Sequence, residues 1–179
     1  TACYTMLQVF SISIFDKKTE TFTRLAAKHK SDISARLSQQ SVTSICETKS
    51  QIVWAATENA GVFQINTKSG EIRQFVHQPD NENTISHNTV SKIIPDTKKP
   101  DEILWIATMG GLDQFNTKTG TFTHFRHIPG NPESLSSNRI KDFFINENGD
   151  VWLGTEDNGV SVLTYQNRNK ARFTNFKHN

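Results

Sequence analysis

Apolar and polar residues alternate along most of this chain with a period of two. The alternating runs are short, and polar segments rich in Asn, Gly, Ser, Thr and Pro separate them. Val62-Phe-Gln-Ile-Asn66, Leu112-Asp-Gln-Phe-Asn116 and Val160-Ser-Val-Leu-Thr-Tyr165 are such runs, as are 71–75 and 121–125. Strict alternation over four to six residues, carried by β-branched and aromatic side chains, predicts half-buried strands. Asn66-Thr-Lys-Ser-Gly70 and Asn116-Thr-Lys-Thr-Gly120 join pairs of these runs and predict hairpin turns, where glycine takes positive φ without steric cost. Glu147-Asn-Gly149 before Asp150 predicts another. A helical period persists nowhere. Only 31–40 is ambiguous, and it falls in a connection between strands.

The runs recur as a unit. Val53–Gly61 (VWAATENAG), Leu104–Gly111 (LWIATMGG) and Val151–Gly159 (VWLGTEDNG) each place one Trp in an apolar strand, then a Thr, then a polar turn closed by Gly. Trp105 follows Trp54 by 51 residues and Trp152 follows Trp105 by 47, within the range of propeller and solenoid repeats. Val42, Val90 and Ile140 open a strand before each Trp, and 77–88 and 127–138 are matching polar spacers. Each unit therefore reads as four antiparallel strands, a to d. A lone four-stranded sheet cannot cover both its faces, whereas radial stacking does, so the predicted fold is an all-β propeller. Asp16–Leu25 aligns with Asn66–Phe75 and puts Tyr4 where Trp54 stands in the next unit. The expected organisation is one partial β-propeller domain over 1–179. It has a partial blade at about 1–27 and complete blades at about 42–76, 90–126 and 140–176, close to half of a seven-bladed ring. Such a chain is expected either to be a fragment of a longer propeller or to close a ring with a second copy.

Composition narrows the partners. A net charge of +2 without a basic stripe argues against nucleic acid. No run of about 18 apolar residues exists, so direct membrane insertion of the segment is not expected. Cys3 and Cys46 lack metal-ligand spacing and read as buried free thiols or as one disulfide.

The string N-(x)-V/I-x-x-I/F, followed by V/L-W-x-G/A-T-x-x-G-G/V-L/V, resembles the two-component regulator propeller repeat. Residues 88–112 and 138–160 match it, 40–62 match it more loosely, and the spacers 75–88 and 125–138 are similar as well. Ala56 and Ala107 stand where the repeat usually has Gly, Gly154 keeps it, and the first unit lacks its Trp. The resemblance implies a periplasmic sensor region of an inner-membrane bacterial receptor. The output of such a receptor is a histidine kinase or a diguanylate cyclase, and neither module lies in this sequence. The implied role is a non-catalytic module that binds a ligand or partner. A propeller enzyme of the lyase or hydrolase kind is the alternative, and a scaffold half-propeller that closes by homodimerisation is another.

Candidate chemistry is sparse. Trp54, Trp105 and Trp152 are expected to pack between blades, and Thr57, Thr108 and Thr155 to bond backbone at the b–c turn. His77, His127 and His178 recur in Phe-x-His, but at one position of three different blades, too far apart to share an ion. Asp142, Glu147 and Asp150 lack calcium-loop spacing. No cofactor, metal or nucleophile motif is expected. Ligand residues on rigid β scaffolds sit in loops. The candidates are therefore Glu58, Asn59, His87, Asn88, Met109, Ser137, Asn138, Arg139, Glu156, Asp157 and Asn158, in the b–c and d–a loops expected to share one face. Asn88 and Asn138 also suit turn roles, and Arg139 suits a carboxylate or sugar acid. The expected ligand is a small molecule or a carbohydrate-like one; the expected protein partner is a second copy or the remaining blades.

Overall fold

The structure is a computed structural model of the chain, and it describes residues 3–6, 12–16, 19–24, 32–48 and 51–177. Among these the fold is all-β, as the alternation predicts. A three-stranded antiparallel sheet comprises β1 (Cys3–Met6), β2 (Ile12–Asp16) and β3 (Thr21–Arg24). Three four-stranded antiparallel sheets follow. The first blade is β4 (Val42–Thr48), β5 (Ile52–Thr57), β6 (Val62–Asn66) and β7 (Ile72–Phe75). The second is β8 (Val90–Pro95), β9 (Ile103–Thr108), β10 (Gly111–Asn116) and β11 (Thr121–Phe125). The third is β12 (Ile140–Ile145), β13 (Val151–Thr155), β14 (Val160–Leu163) and β15 (Thr174–Phe176). Each sheet pairs its strands in chain order, and β8 neighbours both β4 and β12, so the a strands line one side of the array.

Local chemistry explains the turns. The Asn66 side-chain carbonyl accepts the Lys68 and Ser69 amides, and Asn116 accepts those of Lys118 and Thr119. At the b–c turns, Thr57, Thr108 and Thr155 each donate a hydroxyl to the carbonyl of Gly61, Gly111 and Gly159 at 2.8–2.9 Å. Those glycines have φ of +73°, +124° and +71°, and a Cβ would run into the Phe75, Phe125 and Phe176 carbonyl oxygens. Only glycine fits there.

Two helical elements depart from the all-strand expectation. Asp32–Leu37 forms a short helix, α1, in the ambiguous stretch, with Leu37 buried in the core. Between β14 and β15 the Asn-Thr-Lys-x-Gly turn is missing, and Tyr165–Lys170 forms a 3₁₀-helix closed by Ala171 at φ +51°. The strand read as 160–165 accordingly ends at Leu163.

Apolar layers fill the gaps between sheets. Ile12, Leu37, Val53, Ala55, Phe63 and Ile65 join the N-terminal sheet to the first blade. Between the first and second blades, Trp54 lies 5.6 Å from Phe75 and 5.7 Å from Phe115 of the next blade, while Phe75 lies 6.4 Å from Phe122. The next gap repeats the arrangement: Trp105 lies 5.6 Å from Phe125, Phe125 lies 6.0 Å from Phe173, and Leu163 takes the Phe115 position. Trp54 and Trp105 are fully buried. Trp152 is only half-buried and opens onto solvent.

Polar bridges accompany the apolar ones. Each a strand carries a bulge, at Thr43, Ser91 and Lys141. The Thr43 hydroxyl donates to the Val90 carbonyl of the next blade at 2.7 Å, and the Ser91 hydroxyl to that of Ile140 at 2.8 Å. In the first two blades the bulge thus turns one side chain sideways onto the next blade. Cys46 is a free thiol, and burial pushes its pKa up to about 12.

Candidate functional site

The b–c and d–a loops meet on one edge of the array. The Gly61 amide donates to the Asn88 carbonyl at 2.9 Å, Met109 to Thr89 at 3.1 Å and Glu156 to Arg139 at 2.8 Å. The two long spacers are built alike. His77 and His127 each place Nδ1 2.8 Å from a carbonyl oxygen, of Ile85 and Leu135, so each ring donates and holds its loop. His178 lies outside the described residues. Asn88 and Asn138 accept the backbone amides of His77 and His127 at 2.7 and 2.6 Å, which commits both to turns. Ile85 and Leu135 plug the loops into the inter-blade layers, fully buried.

On this frame the candidate residues divide. Glu58, Asn59, His87, Arg139, Glu156 and Asp157 are exposed; Met109 and Asn158 are half-buried; Ser137 is buried. Arg139 does not stand free for a ligand carboxylate. Its guanidinium pairs with Glu156, whose other oxygen takes Lys141 Nζ at 3.0 Å. The third blade thus carries three charges where the second has Thr89, Ser91 and Met109 and the first has Ser41, Thr43 and Glu58. Lys92 reaches across to Asp142 at 2.7 Å and extends the charged strip along the a strands. A charged ligand at this edge would exchange partners with Glu156 and need not leave Arg139 bare. Among the described residues no group of three His, Cys, Asp or Glu is placed to hold a metal ion.

Two polar clusters were not anticipated. In the first, Asp96 accepts Trp105 Nε1 at 2.8 Å and Arg168 Nη1 at 2.6 Å, and Arg168 lies between the Trp105 and Tyr165 rings at 4.9 and 4.8 Å. Burial pushes the Asp96 carboxyl upward. The Trp105 N–H, the Arg168 charge and the Lys98 amide outweigh it and hold the group below its ordinary 3.8. Arg168 comes from the 3₁₀-helix of the third blade and Asp96 from the second, so the pair clamps two blades. In the second cluster, Ser86, Asp113 and His124 meet inside the second blade. One signal was available: aligning the repeats puts Asp113 where Phe63 and Ser161 stand, at a buried position of an alternating strand. The trio is not a catalytic relay. There the acid and the nucleophile occupy opposite ring nitrogens, whereas here both meet His124 at Nδ1.

Away from the loops, a groove of about 490 Å³ opens on the outer face of the third blade, lined by Phe144, Trp152, Gly154, Val160 and Phe176 among others. Phe144 and Trp152 stack at 6.1 Å and 10°. Trp152 and Phe176 occupy the positions that Trp105 and Phe125 hold in the covered layer.

Comparison with known proteins follows the same lines. Residues 134–157 match the model of the two component regulator propeller. The structure is similar to one described as the extracellular domain of a hybrid two component system, BT3049, from B. thetaiotaomicron (18% identity over 99% of this chain and 23% of that one, TM-score 0.75). A second, described likewise for BT4673 from B. thetaiotaomicron, has 24% identity over 90% of this chain and 20% of that one, TM-score 0.67. PorZ, described as a bacterial surface component of the type-IX secretion system of Porphyromonas gingivalis, has 21% identity over 86% of this chain and 22% of that one, TM-score 0.60. The chain thus spans about a fifth to a quarter of the length of these structures. No curated protein sequence matches. Among the described residues no helix is long and apolar enough to cross a membrane. Residues 134–157 match the two-component regulator propeller repeat, and the chain as a whole folds as β-propeller blades.

Proposed function

We propose that this chain is part of the periplasmic sensor propeller of a bacterial membrane receptor, a non-catalytic module that takes a ligand or partner at the edge where its b–c and d–a loops meet. The observation that carries the reading is the division of labour in the blades. Strands, turn threonines and spacer loops are built alike from blade to blade, while the exposed side chains at the loop edge change from Ser41, Thr43 and Glu58 to Arg139, Lys141 and Glu156. A rigid scaffold with a variable polar rim is the arrangement of recognition sites. The similarity to extracellular domains of hybrid two-component systems supports placing that rim outside the inner membrane. The Ser86, Asp113 and His124 groups are bonded to one another and to backbone, with no ring nitrogen free to act as a base, which favours binding over catalysis.

The ligand class we favour is a small carbohydrate-like molecule with an acidic group, because Arg139 and Lys141 share a single carboxylate, Glu156. The test is a calorimetric screen of neutral and acidic oligosaccharides against the chain and its Arg139→Ala and Trp152→Ala variants. Binding of an acidic sugar that Arg139→Ala abolishes and Trp152→Ala leaves intact supports the reading. Failure of every sugar, or binding indifferent to Arg139, overturns it.

The groove beside Trp152 we assign to another blade of the same propeller, since the two covered layers place a c-strand Phe or Leu and a d-strand Phe against the same positions. Light scattering separates a further blade of one longer chain from a second copy. A 20.2 kDa chain that associates into a discrete dimer, with the association lost in Trp152→Glu, favours the second copy.

A further inference from the structure

We propose that Asp113, His124 and Ser86 form a proton-operated latch that fastens the 77–89 loop to the second blade and loosens as pH rises. The hydrogen-bond pattern carries the argument. His124 Nε2 lies 2.7 Å from the Glu82 carbonyl oxygen, which only accepts, so this nitrogen bears a proton. Nδ1 lies 2.7 Å from Asp113 Oδ1 and 3.0 Å from Ser86 Oγ. The Ser86 hydroxyl is already spent on Asp113 Oδ1 at 2.5 Å, and the Ser86 amide donates to Oδ2 at 2.7 Å. A second proton therefore lies between Nδ1 and Asp113, and the imidazolium–carboxylate pair holds one proton more than a neutral ring beside a carboxylate. Asp113 is completely buried. Losing that proton turns the Nδ1 lone pair toward a completely buried carboxylate that has no water to turn to, or leaves the Glu82 carbonyl without its donor.

The surroundings set the direction. The Asp113 hydrogen bond, from β10, raises the His124 pKa above its ordinary value. Burial opposes it, the Glu82 carbonyl and the Asp113 charge reinforce it, and Arg126 at the end of β11 works against it. Arg126 is itself paired with the Glu82 side chain at 3.6 Å, and Phe122 stacks on the ring at 6.2 Å and 6°. A group whose folded pKa is raised lends its stabilisation fully below its ordinary value, 6.5 for His124, and loses it as pH climbs through the folded value. The fastened element is the loop that carries His87 and Asn88 at the rim and Ile85 in the inter-blade layer. Opening it uncovers that layer.

The third blade holds an internal control. Ser136, Ser161 and Asn175 occupy the positions of Ser86, Asp113 and His124. Ser161 Oγ donates to Asn175 Oδ1 at 2.6 Å, and Asn175 Nδ2 donates to the Pro132 carbonyl at 2.9 Å, as His124 does to Glu82. The frame is shared and the titratable groups are gone.

The test is amide hydrogen exchange on the chain at pH 6 and pH 9, corrected for intrinsic rates, with the two spacers read separately. Protection of the Ser86 loop falls by up to about tenfold for each pH unit between 6.5 and the raised folded pKa, where one proton is released on opening, and levels off above it. The 127–139 loop stays level. The double variant Asp113→Ser, His124→Asn, which copies the third blade, removes the dependence. Equal pH response in both loops, or a response that survives the double variant, overturns the latch. Should that variant fail to fold, the imidazole ¹⁵N resonances of His124 in the unmodified chain decide. A titration midpoint above 6.5 supports the proposal, and a midpoint at or below 6.5 overturns it.

Discussion

Trp105 and Trp152 stand at the same position of the same strand in adjacent blades, and their surroundings differ in every respect that matters to a side chain. Trp105 is wholly buried, its indole nitrogen bonded to Asp96 and its ring covered by Arg168 and Phe125. Trp152 is stacked only on the exposed Phe144 and faces an open groove. The lesson is that a repeat position has no fixed energetic value. It acquires one from the blade that follows, and Trp54 makes the same point from the other side. It is as buried as Trp105, yet among the described residues its Nε1 has no hydrogen-bond partner, because Thr48 stands where the second blade has Asp96 and turns its hydroxyl to Ile52 instead.

The sharpest way to break this comparison is to cut both tryptophans. Trp105→Ala is expected to cost about 3–5 kcal/mol in urea unfolding, as large-to-small core substitutions do, and Trp152→Ala about 1 kcal/mol or less. Equal losses would show that the open face is packed in solution and would sink the contrast. Close behind comes Arg168→Ala, which strands Asp96 in the interior. Removing one partner of a buried pair costs about 3–5 kcal/mol. The Asp96 contribution is present above that group's ordinary pKa and is lost as pH falls through its lower folded value. Acid unfolding curves of the parent and Arg168→Ala should therefore converge at the lowest pH; curves that stay parallel would remove Asp96 from the account.

Smaller effects separate two glycines of the unit. Gly111→Ala forces a methyl against the Phe125 carbonyl at positive φ and should cost about 1–3 kcal/mol. Gly154→Ala meets only the Asp142 carbonyl, at 3.8 Å, and puts in the third blade what Ala56 and Ala107 already are in the others. Thermal midpoints should show it as nearly silent, and a loss matching that of Gly111→Ala would contradict the equivalence of the b strands. The smallest expected change is Arg172→Ala. Its pairing with Glu133 is half exposed, and a surface pair of this kind contributes about 0.2–1 kcal/mol.

Much of the fold was legible because it is written locally. Alternation marked the strands, and the Asn-Thr-Lys-x-Gly segments and turn threonines announced their own hydrogen bonds within four residues. The candidate rim was legible only as a set of loop positions. The turn roles of Asn88 and Asn138 were local enough to read, whereas the convergence of Arg139 and Lys141 on Glu156 depends on a contact between separate segments. The 3₁₀-helix escaped because the turn signature it replaces is simply missing from 164–171, and absence of a pattern does not specify a structure.

What the sequence determined by itself is the blade: four strands whose side-chain period of two and glycine-bearing turns follow from backbone stereochemistry between near neighbours. What only the tertiary structure decided is how the blades are joined. Arg168 finds Asp96 across 72 residues, Ser86 finds His124 across 38, and Ser91 finds the Ile140 carbonyl across 49. The radial stacking of one sheet on the next brings these groups within bonding distance. No pattern along the chain encodes that geometry, because the energy that selects it is the burial of one blade's face by another's.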